Sequence, residues 1–505
     1  MPLAKTLGIS LYGLAGRLIE IEADISSNLP AFVLVGLPDA SIQEAASRVR
    51  SATNNSKLNL PGRRITVNLS PASVPKQGSG FDLAIAMCVL GAAGLVRKSS
   101  ISRTVFLGEL ALDGSIKPIN GILAAIIAAR QMQIDNVVVP LGNLAEAKLI
   151  SGLNVIGFDH LTLVASAFGA EIDASKTGEL KPFSIPDEVT SACFSDVVGQ
   201  PDAIEAMKVA AVGAHNVLMQ GPPGAGKTML ASRLPGILPE LTESEAIELC
   251  AIRSVAKLNV NSLPKVPPFQ APHHTASMVS MVGGGGIQPR PGLVSLSHNG
   301  VLFLDEAQEF HSSVLEALRQ PLESGEITIS RASGNATFPA RFQLVLASNP
   351  CPCGYAIGSG KACTCSAASR LRYQNRLSGP LSDRLDLKLE LHSVSASLLG
   401  VEGSSPPSHE LRAQVTEARA NSRARLVTTP WQTNSQVPGS YLRRELRLSK
   451  QTTSQLDLSL DRNLISMRGY DRCLRVAWSL ADLTGRTVPT KDDLAMAVYL
   501  RGGES

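Results

Sequence analysis

The chain has 505 residues, 44% of them hydrophobic and 18% charged, a composition that excludes a disordered chain and predicts two to four globular domains. The net charge of +4 excludes nucleic-acid binding through bulk charge and leaves local basic patches as the means. No apolar run approaches the roughly 20 residues of a membrane span and no signal peptide is recognisable, so we expect a cytoplasmic protein without membrane contact.

Residues 1–170 are expected to form one α+β domain. Apolar runs that end in turns indicate strands at residues 32–39, 63–71, 135–140 and 153–158. Helical spacing of apolar residues indicates helices at residues 41–53, 81–95 and 143–151. The polar, proline-bearing segment 171–190 is interpreted as a linker.

Residues 191–395 alternate helical segments with short buried strands, which predicts an α/β domain with a parallel sheet. Residues 393–405 are rich in Ser, Gly and Pro, and the pattern beyond them is mostly helical. A helical C-terminal domain is therefore expected over residues 396–505.

A phosphate-binding motif stands near the start of the second domain. The sequence GPPGAGKT fits G-x-x-x-x-G-K-[ST] and lies between an apolar strand and a helix. We expect ATP to bind at Gly221, Pro222, Pro223, Gly224, Ala225, Gly226, Lys227 and Thr228. Lys227 would reach the β- and γ-phosphates, and the Thr228 hydroxyl would hold Mg²⁺.

Two further strand ends carry polar groups that suit ATP hydrolysis. VLFLDE is an apolar run ending in Asp305, expected to complete the Mg²⁺ shell with Thr228, and Glu306, expected to orient the attacking water. FQLVLASN ends in Asn349, which is expected to align that water. The alternative for Asn349 is an ordinary turn residue at a strand end.

Half of the eight cysteines lie in the segment 351–365, as two C-x-C pairs separated by nine residues. Four thiolates satisfy tetrahedral Zn²⁺, so a structural zinc site is expected at Cys351, Cys353, Cys363 and Cys365. An iron–sulfur cluster and metal-free thiols remain alternatives. A disulfide is disfavoured in a reducing cytosol.

The order of the nucleotide motifs resembles that of the AAA+ ATPases. Six segments are similar to the ComM/YifB family, relatives of the magnesium-chelatase ATPase subunit, and the resemblance covers nearly the whole chain. These segments are APHHTASMVSMVGGGG, PRPGLVSLSHNGVLFLDE, LRQPLESGEITISRA, SNPCPCGY, LSGPLSDRLDL and SMRGYDRCLRVAWSLADL. The resemblance implies an AAA+ P-loop core over residues 191–395 and a helical lid over residues 396–505.

The resemblance also implies that ATP lies between subunits, so that each site needs a closed ring, by expectation a hexamer. Arg384 matches the arginine that acts on the neighbour's γ-phosphate, and Arg468 matches the lid arginine called sensor 2. The alternative is that each pairs with a nearby acid, namely Asp383 or Asp386 for the first and Asp471 for the second. Arg376 and Arg319 are weaker candidates at the subunit boundary.

Two segments, 268–297 and 327–342, resemble the helix-2 insert and the pre-sensor hairpin, whose loops face the central pore. Arginines there would contact DNA phosphates and aromatic side chains would stack on bases. These residues are Arg290, Arg331 and Arg341, with Phe269, His273 and His274. A buried hairpin with solvated arginines, or a metal site at the two histidines, remains the alternative.

The first domain is similar to the Lon-protease domain, which uses a Ser–Lys dyad. Along PKQGSGFD the nucleophile position falls at Gly80, and along PINGILAA the base position falls at Leu123, so both groups are lost. The fold is then expected to serve as a scaffold that binds DNA or stabilises the ring. A shifted dyad of Ser79 and Lys117 remains the alternative.

Together these features predict an ATP-driven ring motor of helicase or branch-migration type that moves DNA through its pore. The family resemblance implies a part in recombining incoming DNA during natural transformation. The alternatives are a chelatase-type ATPase that remodels a protein partner and an ATP-dependent protease. A non-hydrolysing scaffold is disfavoured by the intact Lys227 and Glu306.

Overall fold

A computed structural model describes residues 3–36, 40–74, 76, 78–172, 192–285, 288–331, 334–356, 363–377, 379–392 and 405–502. Nearly all of the predicted linker 171–190 lies outside the described residues, as does most of the Ser/Gly/Pro-rich segment 393–405. Among the described residues, no helix combines the length and the apolar composition that crossing a bilayer requires.

The first domain is built on strands from residue 4 to residue 158. They are β1 (Ala4–Tyr12), β2 (Ala15–Ser26), β3 (Ala31–Val35), β4 (Arg64–Ser70), β5 (Thr104–Phe106), β6 (Glu109–Leu110), β7 (Ile116–Lys117), β8 (Asn136–Pro140) and β9 (Asn154–Phe158). Seven of them form one sheet in the order β3-β4-β2-β1-β5-β8-β9, while β6 and β7 form a separate ribbon. β2 pairs antiparallel with β1 and β4, and the other neighbours pair in parallel.

Helices cover both faces of this sheet. They are α1 (Ala40–Gln43), α2 (Ala45–Asn55), α3 (Asp82–Ala92), α4 (Lys98–Ile101), α5 (Ile122–Gln131), α6 (Leu144–Ala147) and α7 (Leu161–Ala167). Because side chains alternate along a strand, Ile19 and Ile21 of β2 face α3 while Leu18 faces α5. α3 is buried along its whole length, which explains why its sequence is apolar on every side.

The second domain contains a five-stranded sheet, an insert and a hairpin. Its strands are β10 (Val217–Gln220), β11 (Phe269–Gln270), β12 (Gly283–Gly284), β13 (Arg290–Pro291), β14 (Val301–Leu304), β15 (Glu326–Arg331), β16 (Gly334–Pro339), β17 (Gln343–Ser348) and β18 (Leu387–Glu390). The sheet has the order β11-β14-β17-β10-β18, and every pairing in it is parallel. The predicted parallel α/β sheet is therefore confirmed.

Helices flank this sheet and fill its long connections. They are α8 (Pro201–Gly213), α9 (Lys227–Ile237), α10 (Glu243–Val255), α11 (Met278–Val282), α12 (Leu293–Leu296), α13 (Ser312–Ala317), α14 (Arg319–Ser324), α15 (Ala367–Gln374) and α16 (Gly379–Ser382). The insert between β11 and β14 carries α11, the short β12–β13 ribbon and α12. β15 and β16 form the antiparallel hairpin that the sequence pattern predicts.

The C-terminal part of the chain is helical, as predicted. Its helices are α17 (Ser408–Arg425), α18 (Gly439–Arg444), α19 (Lys450–Asp461), α20 (Met467–Leu483) and α21 (Lys491–Tyr499). α17 packs against α8 and α9, and α20 packs against α8, α17 and α21. The lid and the P-loop helix therefore share one hydrophobic core.

Within the described ranges, the first domain contacts the second domain through α5 and through the turn between β1 and β2. α5 packs against α10, where the amide of Gly121 donates to the carbonyl of Ser254 at 3.1 Å. The Tyr12 hydroxyl, at the turn between β1 and β2, donates to the carbonyl of Gly334 at 2.9 Å. The sheet of the first domain thus contacts the tip of the β15–β16 hairpin.

Candidate functional site

The phosphate-binding loop joins β10 to α9 at one end of the parallel sheet. α9 begins at Lys227, and the loop before it contains Gly224 and Gly226 with φ of +78° and +83°. A residue with a Cβ rarely adopts these angles, so the glycines of the motif are required by the backbone. The resulting loop directs the first amides of α9 towards a bound anion.

Lys227 is almost fully buried within this loop. Its Nζ donates to the carbonyls of Gly221 at 2.6 Å and Pro222 at 3.2 Å, and to Asn349 Oδ1 at 2.8 Å. Burial lowers the pKa of Lys227 below its ordinary value, while the charges of Asp305 and Glu306 oppose that shift. The lysine is therefore held where phosphate oxygens can exchange for its present acceptors.

The two predicted magnesium ligands are in contact. The Thr228 hydroxyl donates to Asp305 Oδ2 at 2.7 Å, and the other oxygen, Oδ1, accepts the amide of Glu306 at 3.0 Å. Asp305 directly follows β14, and Thr228 lies in the first turn of α9. The carboxyl end of β14 is therefore next to the amino end of α9. A hydroxyl and a carboxylate in this arrangement suit the oxygen preference of Mg²⁺.

Glu306 has a backbone conformation unusual for a residue with a side chain. Its φ of +50° is in the left-handed region, and its carboxylate is half exposed. Oε2 of Glu306 lies 3.7 Å from Nδ1 of His274, whose ring lies against that of His273 with centroids 4.0 Å apart. The carboxylate is thus open to solvent on one side and contacts a cationic or polar ring on the other.

The position of His274 is a finding that sequence reasoning missed. The histidine pair is predicted above to belong to the pore-facing insert, yet His274 contacts Glu306. The sequence carried no signal for this contact: the pair follows β11, and the structure shows that β11 pairs with β14, the strand before Glu306. Phe269 also differs from the expectation of base stacking: its ring stacks on the buried Phe303 at a centroid distance of 6.0 Å.

Each of the two predicted arginines forms an ion pair within the chain. Arg384 pairs with Glu323, and Arg468 pairs with Asp383 at 3.4 Å. The side chain of Arg468 is 72% exposed, whereas that of Arg384 is mostly covered. Asp471 instead pairs with Arg443.

Arg376 and Arg319, the weaker candidates, differ in their contacts. Arg376 Nη1 donates to the carbonyl of Gln308 at 3.2 Å and pairs with Glu309 at 3.0 Å, immediately after the acidic pair of β14. Arg319 begins α14 and is exposed. Arg376 therefore contacts the loop that follows Glu306 in its own chain.

Asp386 is the buried acid that joins the lid to the core. It pairs with Arg472 of α20 and lies 3.4 Å from Nδ1 of His215, which follows α8. Burial alone would raise the pKa of Asp386, but the hydrogen bond to His215 and the charge of Arg472 lower it below its ordinary value. This acid is therefore ionised and structural.

The four clustered cysteines come together. Their sulfurs all lie within 4.8 Å of one another, and Cys351 is buried while the other three are half-buried. Hydrogen bonding to the backbone at Tyr355 and to the Cys351 thiol lowers the pKa of Cys353 to about 6. The donor set suits a thiophilic metal ion.

The predicted DNA-contacting arginines are exposed. Arg290 lies at the end of the β12–β13 ribbon, Arg331 at the tip of the β15–β16 hairpin and Arg341 just after that hairpin. Arg331 Nε donates to the carbonyl of Gly285 at 3.2 Å, so the hairpin and the insert contact each other. The hairpin is buried on one face only, because Ile327 and Ile329 pack into the core.

The first domain has a cavity of about 200 Å³ where the Lon-like site would be. It is lined by Ser79, Gly80 and Glu109, and the insert contributes Arg290. The Ser79 hydroxyl donates to the Glu109 carboxylate. Leu123, at the predicted position of the base, is fully buried in the first turn of α5, and its side chain has no proton acceptor.

Comparisons with known proteins agree with this geometry. Three family models match: "Magnesium chelatase, subunit ChlI" over residues 193–399, "Subunit ChlI of Mg-chelatase" over 21–143 and "Magnesium chelatase, subunit ChlI C-terminal" over 405–501. An uncharacterized Mycobacterium tuberculosis protein, Rv2897c, is 46% identical over 506 residues, covering 99% of each chain.

Two named relatives also match over almost their whole length. Competence protein ComM of Haemophilus influenzae is 40% identical over 504 residues, covering 99% of this chain and 98% of that protein. YifB of Escherichia coli is 38% identical over 489 residues, covering 96% and 94%. Lon protease 2 of Bacillus subtilis is similar over a shorter stretch, 30% identical across 29% of this chain.

Proposed function

This chain belongs to the ComM/YifB family of magnesium-chelatase-like AAA+ ATPases, and from that premise we propose that it is a ring-shaped motor that moves DNA. The family implies ATP and Mg²⁺ as cofactors. The finer activity that we propose is helicase-like branch migration. Because one full-length relative is named a competence protein, we further propose that the motor assists recombination of incoming DNA in natural transformation.

One observation carries the motor proposal: the groups for ATP hydrolysis meet at the end of a single parallel sheet. Lys227 contacts Asn349, and Thr228 contacts Asp305, across three different strand ends. Mg²⁺ held by Thr228 and Asp305 would neutralise phosphate charge. In this proposal Glu306 accepts the proton of the water that attacks the γ-phosphorus, while Lys227 stabilises the charge that accumulates on the γ-phosphate oxygens.

Completion of the site by a neighbour is part of the same proposal. Arg384 would leave its pairing with Glu323 and bind the γ-phosphate held by the adjacent subunit. Arg468, on the exposed side of the lid, would bind phosphate within its own chain. Since every site needs a donor, the active form would be a closed ring, by family expectation a hexamer.

The exposed arginines support DNA as the cargo. Arg290 and Arg331 lie on an insert and a hairpin that contact each other, so a shift in one moves the other. Both loops leave the sheet next to strands that carry catalytic residues: the insert precedes β14 and the hairpin precedes β17. Hydrolysis would therefore shift guanidinium groups that bind phosphates without reading bases.

We also propose that Cys351, Cys353, Cys363 and Cys365 hold one structural Zn²⁺. All eight cysteines are free thiols, which suits the reducing cytoplasm that we propose as the location. The zinc would replace a hydrophobic core for a segment in which only one of the four thiols is buried.

The deciding experiment is ATP-driven conversion of a synthetic four-way DNA junction by wild type and by Glu306→Gln. The variant should bind ATP with unchanged affinity but lose turnover by about 10²–10⁴-fold, because its amide cannot accept a proton. Junction conversion should be lost with it. Glu316→Gln, an exposed glutamate of α13, is the matched control and should behave as wild type.

The result that contradicts DNA motor activity is equally specific. Wild-type protein that hydrolyses ATP at a rate unchanged by DNA, and leaves junctions intact, would be a chelatase-type ATPase acting on a protein partner. Under that outcome the ATPase assignment stands and the cargo is wrong.

A further inference from the structure

We propose that the cysteine cluster is a metal-held clamp on the nucleotide pocket, so that Zn²⁺ bound at these four thiols sets the affinity for ATP. The inference rests on the zinc site proposed above and deepens it by assigning a regulated property. It does not depend on DNA as the cargo.

The sulfur positions fit one tetrahedral ion. Four sulfurs at about 2.3 Å from Zn²⁺ lie about 3.8 Å from one another. The Cys351 sulfur lies 3.3 Å from that of Cys353 and 3.7 Å from that of Cys363, and the sulfurs of Cys353 and Cys363 are also 3.7 Å apart. A polynuclear iron–sulfur cluster needs wider spacing, since sulfide and several irons lie between the thiolates.

The segment that carries the first C-x-C pair, residues 349–354, lies along the phosphate-binding loop and is called the first arm. The amide of Gly221 donates to the carbonyl of Ser348 at 3.2 Å, just before this arm. Gly354 packs so closely on the loop that a Cβ there would lie 2.6 Å from Cδ of Pro223. Between these two contacts Asn349 accepts from Lys227. Within the seven residues 348–354, three therefore contact the loop: Ser348, Asn349 and Gly354.

The segment that carries the second C-x-C pair, residues 363–376, is called the second arm. Its end contacts the loop that follows Asp305 and Glu306. Cys365 is followed by α15, whose first turn is capped by the Ser366 hydroxyl accepting from the amide of Ser369 at 3.2 Å. Just beyond this helix, Arg376 binds the carbonyl of Gln308 and the carboxylate of Glu309. Gln308 in turn donates to the Ser348 hydroxyl, which closes the connection between the arms.

A metal ion would thus join the segment on the P-loop to the segment on the acidic loop. Nine residues of chain connect the two C-x-C pairs, and a connection of that length holds its ends together weakly by itself. With the metal bound, the first arm is fixed against Pro223 and Asn349 is held at Lys227. Without it, both contacts loosen and the pocket for the phosphates widens.

The first test removes the two thiols that do not contact the P-loop. Metal analysis should find one zinc per chain in wild type, and Cys363→Ser/Cys365→Ser should lose it. Its dissociation constant for a fluorescent ATP analogue should rise by about tenfold or more. Cys193→Ser, a half-buried thiol outside the cluster, is the control and should keep both zinc and affinity.

A second variant separates the clamp from folding of the cysteine loop. Gly354→Ala keeps all four thiols but pushes on Pro223 and strains a φ of +84°, so zinc should stay at one per chain while ATP affinity falls. In wild type, removal of zinc with a chelator should weaken ATP binding, and added Zn²⁺ should restore it.

Three results would overturn the inference. They are wild-type protein without zinc, a zinc-free double variant with normal ATP affinity, and a Gly354→Ala protein with both properties intact. None of them bears on DNA-stimulated ATP turnover or junction conversion, so failure of the clamp and failure of the motor proposal are distinguishable.

Discussion

The nucleotide centre and the cavity of the first domain contain similar kinds of side chain, but their environments differ. In the nucleotide centre a buried lysine, Lys227, contacts Asn349 at 2.8 Å beside a hydroxyl–carboxylate pair. In the cavity the Ser79 hydroxyl donates to an acid, Glu109, and Lys117 is exposed on the β6–β7 ribbon. A lysine and a hydroxyl are therefore catalytic only where burial and neighbours tune them.

The first and second domains also differ in a buried carboxylate that each of them contains. Asp82 of the first domain pairs with Arg48 at 2.7 Å, yet burial dominates and raises the pKa of Asp82. Asp386 pairs with Arg472 and His215, and its pKa is lowered despite burial. An acid with a lowered pKa stabilises the fold above its unfolded-state pKa of about 3.9 and loses that contribution as pH falls through the folded pKa. Asp82 has a raised pKa, so its dependence on pH is the opposite. Its contribution to the free energy of unfolding is present at low pH and is lost as pH rises through the folded pKa.

The largest expected effect follows from this difference. Asp386→Asn should destabilise the ATPase domain and lid by about 3–5 kcal/mol at pH 7, because it leaves Arg472 buried without its charge partner. Both tryptophans, Trp431 and Trp478, are in the lid, so their fluorescence in denaturant reports this region alone. In wild type the tryptophan signal should change on acidification below about pH 4, before the helical and strand signal of the first domain is lost.

Asp82→Asn is the matched control for the acid experiment. It alters a buried carboxylate of the first domain and should leave the tryptophan transition where it is in wild type. A tryptophan transition that Asp386→Asn does not shift, or that Asp82→Asn shifts equally, would contradict the assignment of opposite pH responses to the two regions.

Much of the nucleotide centre was predictable because its signals are local. Each of its motifs can be recognised within ten residues: the P-loop glycines, the apolar strand before Asp305 and the strand before Asn349. The helices of the lid follow from their apolar spacing in the same way. Contacts that depend on tertiary packing were not predictable: Arg384 pairs with Glu323, which is 61 residues earlier in the chain.

The first domain was harder to predict for a physical reason. β1 and β2 form its longest hairpin, yet no strand was predicted there. β1 is covered on both faces in the middle of the sheet, so it lacks the alternation of apolar and polar residues that indicates a strand. The likeness to Lon, by contrast, was visible in two short segments, and Gly80 and Leu123 in these segments are the basis for predicting that the dyad is lost.

A smaller effect on ATP turnover is expected at His274, whose contact with Glu306 was found in the structure and was not predicted from the sequence. His274→Ala should lower kcat for ATP by about two- to fivefold and leave ATP affinity unchanged, because a partly exposed contact with Glu306 contributes little free energy. His274→Gln, which keeps a polar group at that place, should recover part of the loss. Steady-state ATP turnover and equilibrium ATP binding measure the two quantities separately.

His273→Ala is the neighbouring control. Nδ1 of His273 contacts the Thr275 hydroxyl at 2.9 Å, so its removal should leave kcat unaltered. If both histidine variants lower kcat equally, the effect belongs to the loop conformation and not to the contact with Glu306. If His274→Ala weakens ATP binding instead, the residue supports the pocket and not the carboxylate.

The smallest effect is expected in the cavity of the first domain. Ser79→Ala removes the only hydroxyl at the former nucleophile loop, and Lys117, on the exposed ribbon, is not among the residues that line the cavity. Because the Glu109 carboxylate that accepts from Ser79 is a much weaker base than the neutral lysine of a Ser–Lys dyad, wild type should not cleave casein, and Ser79→Ala should hydrolyse ATP within about twofold of wild type. ATP-dependent casein cleavage that disappears in Ser79→Ala would reverse the comparison, since the cavity would then be a second active site. Unchanged ATP turnover without cleavage would instead mean that the domain acts through its contacts with α10 and the β15–β16 hairpin.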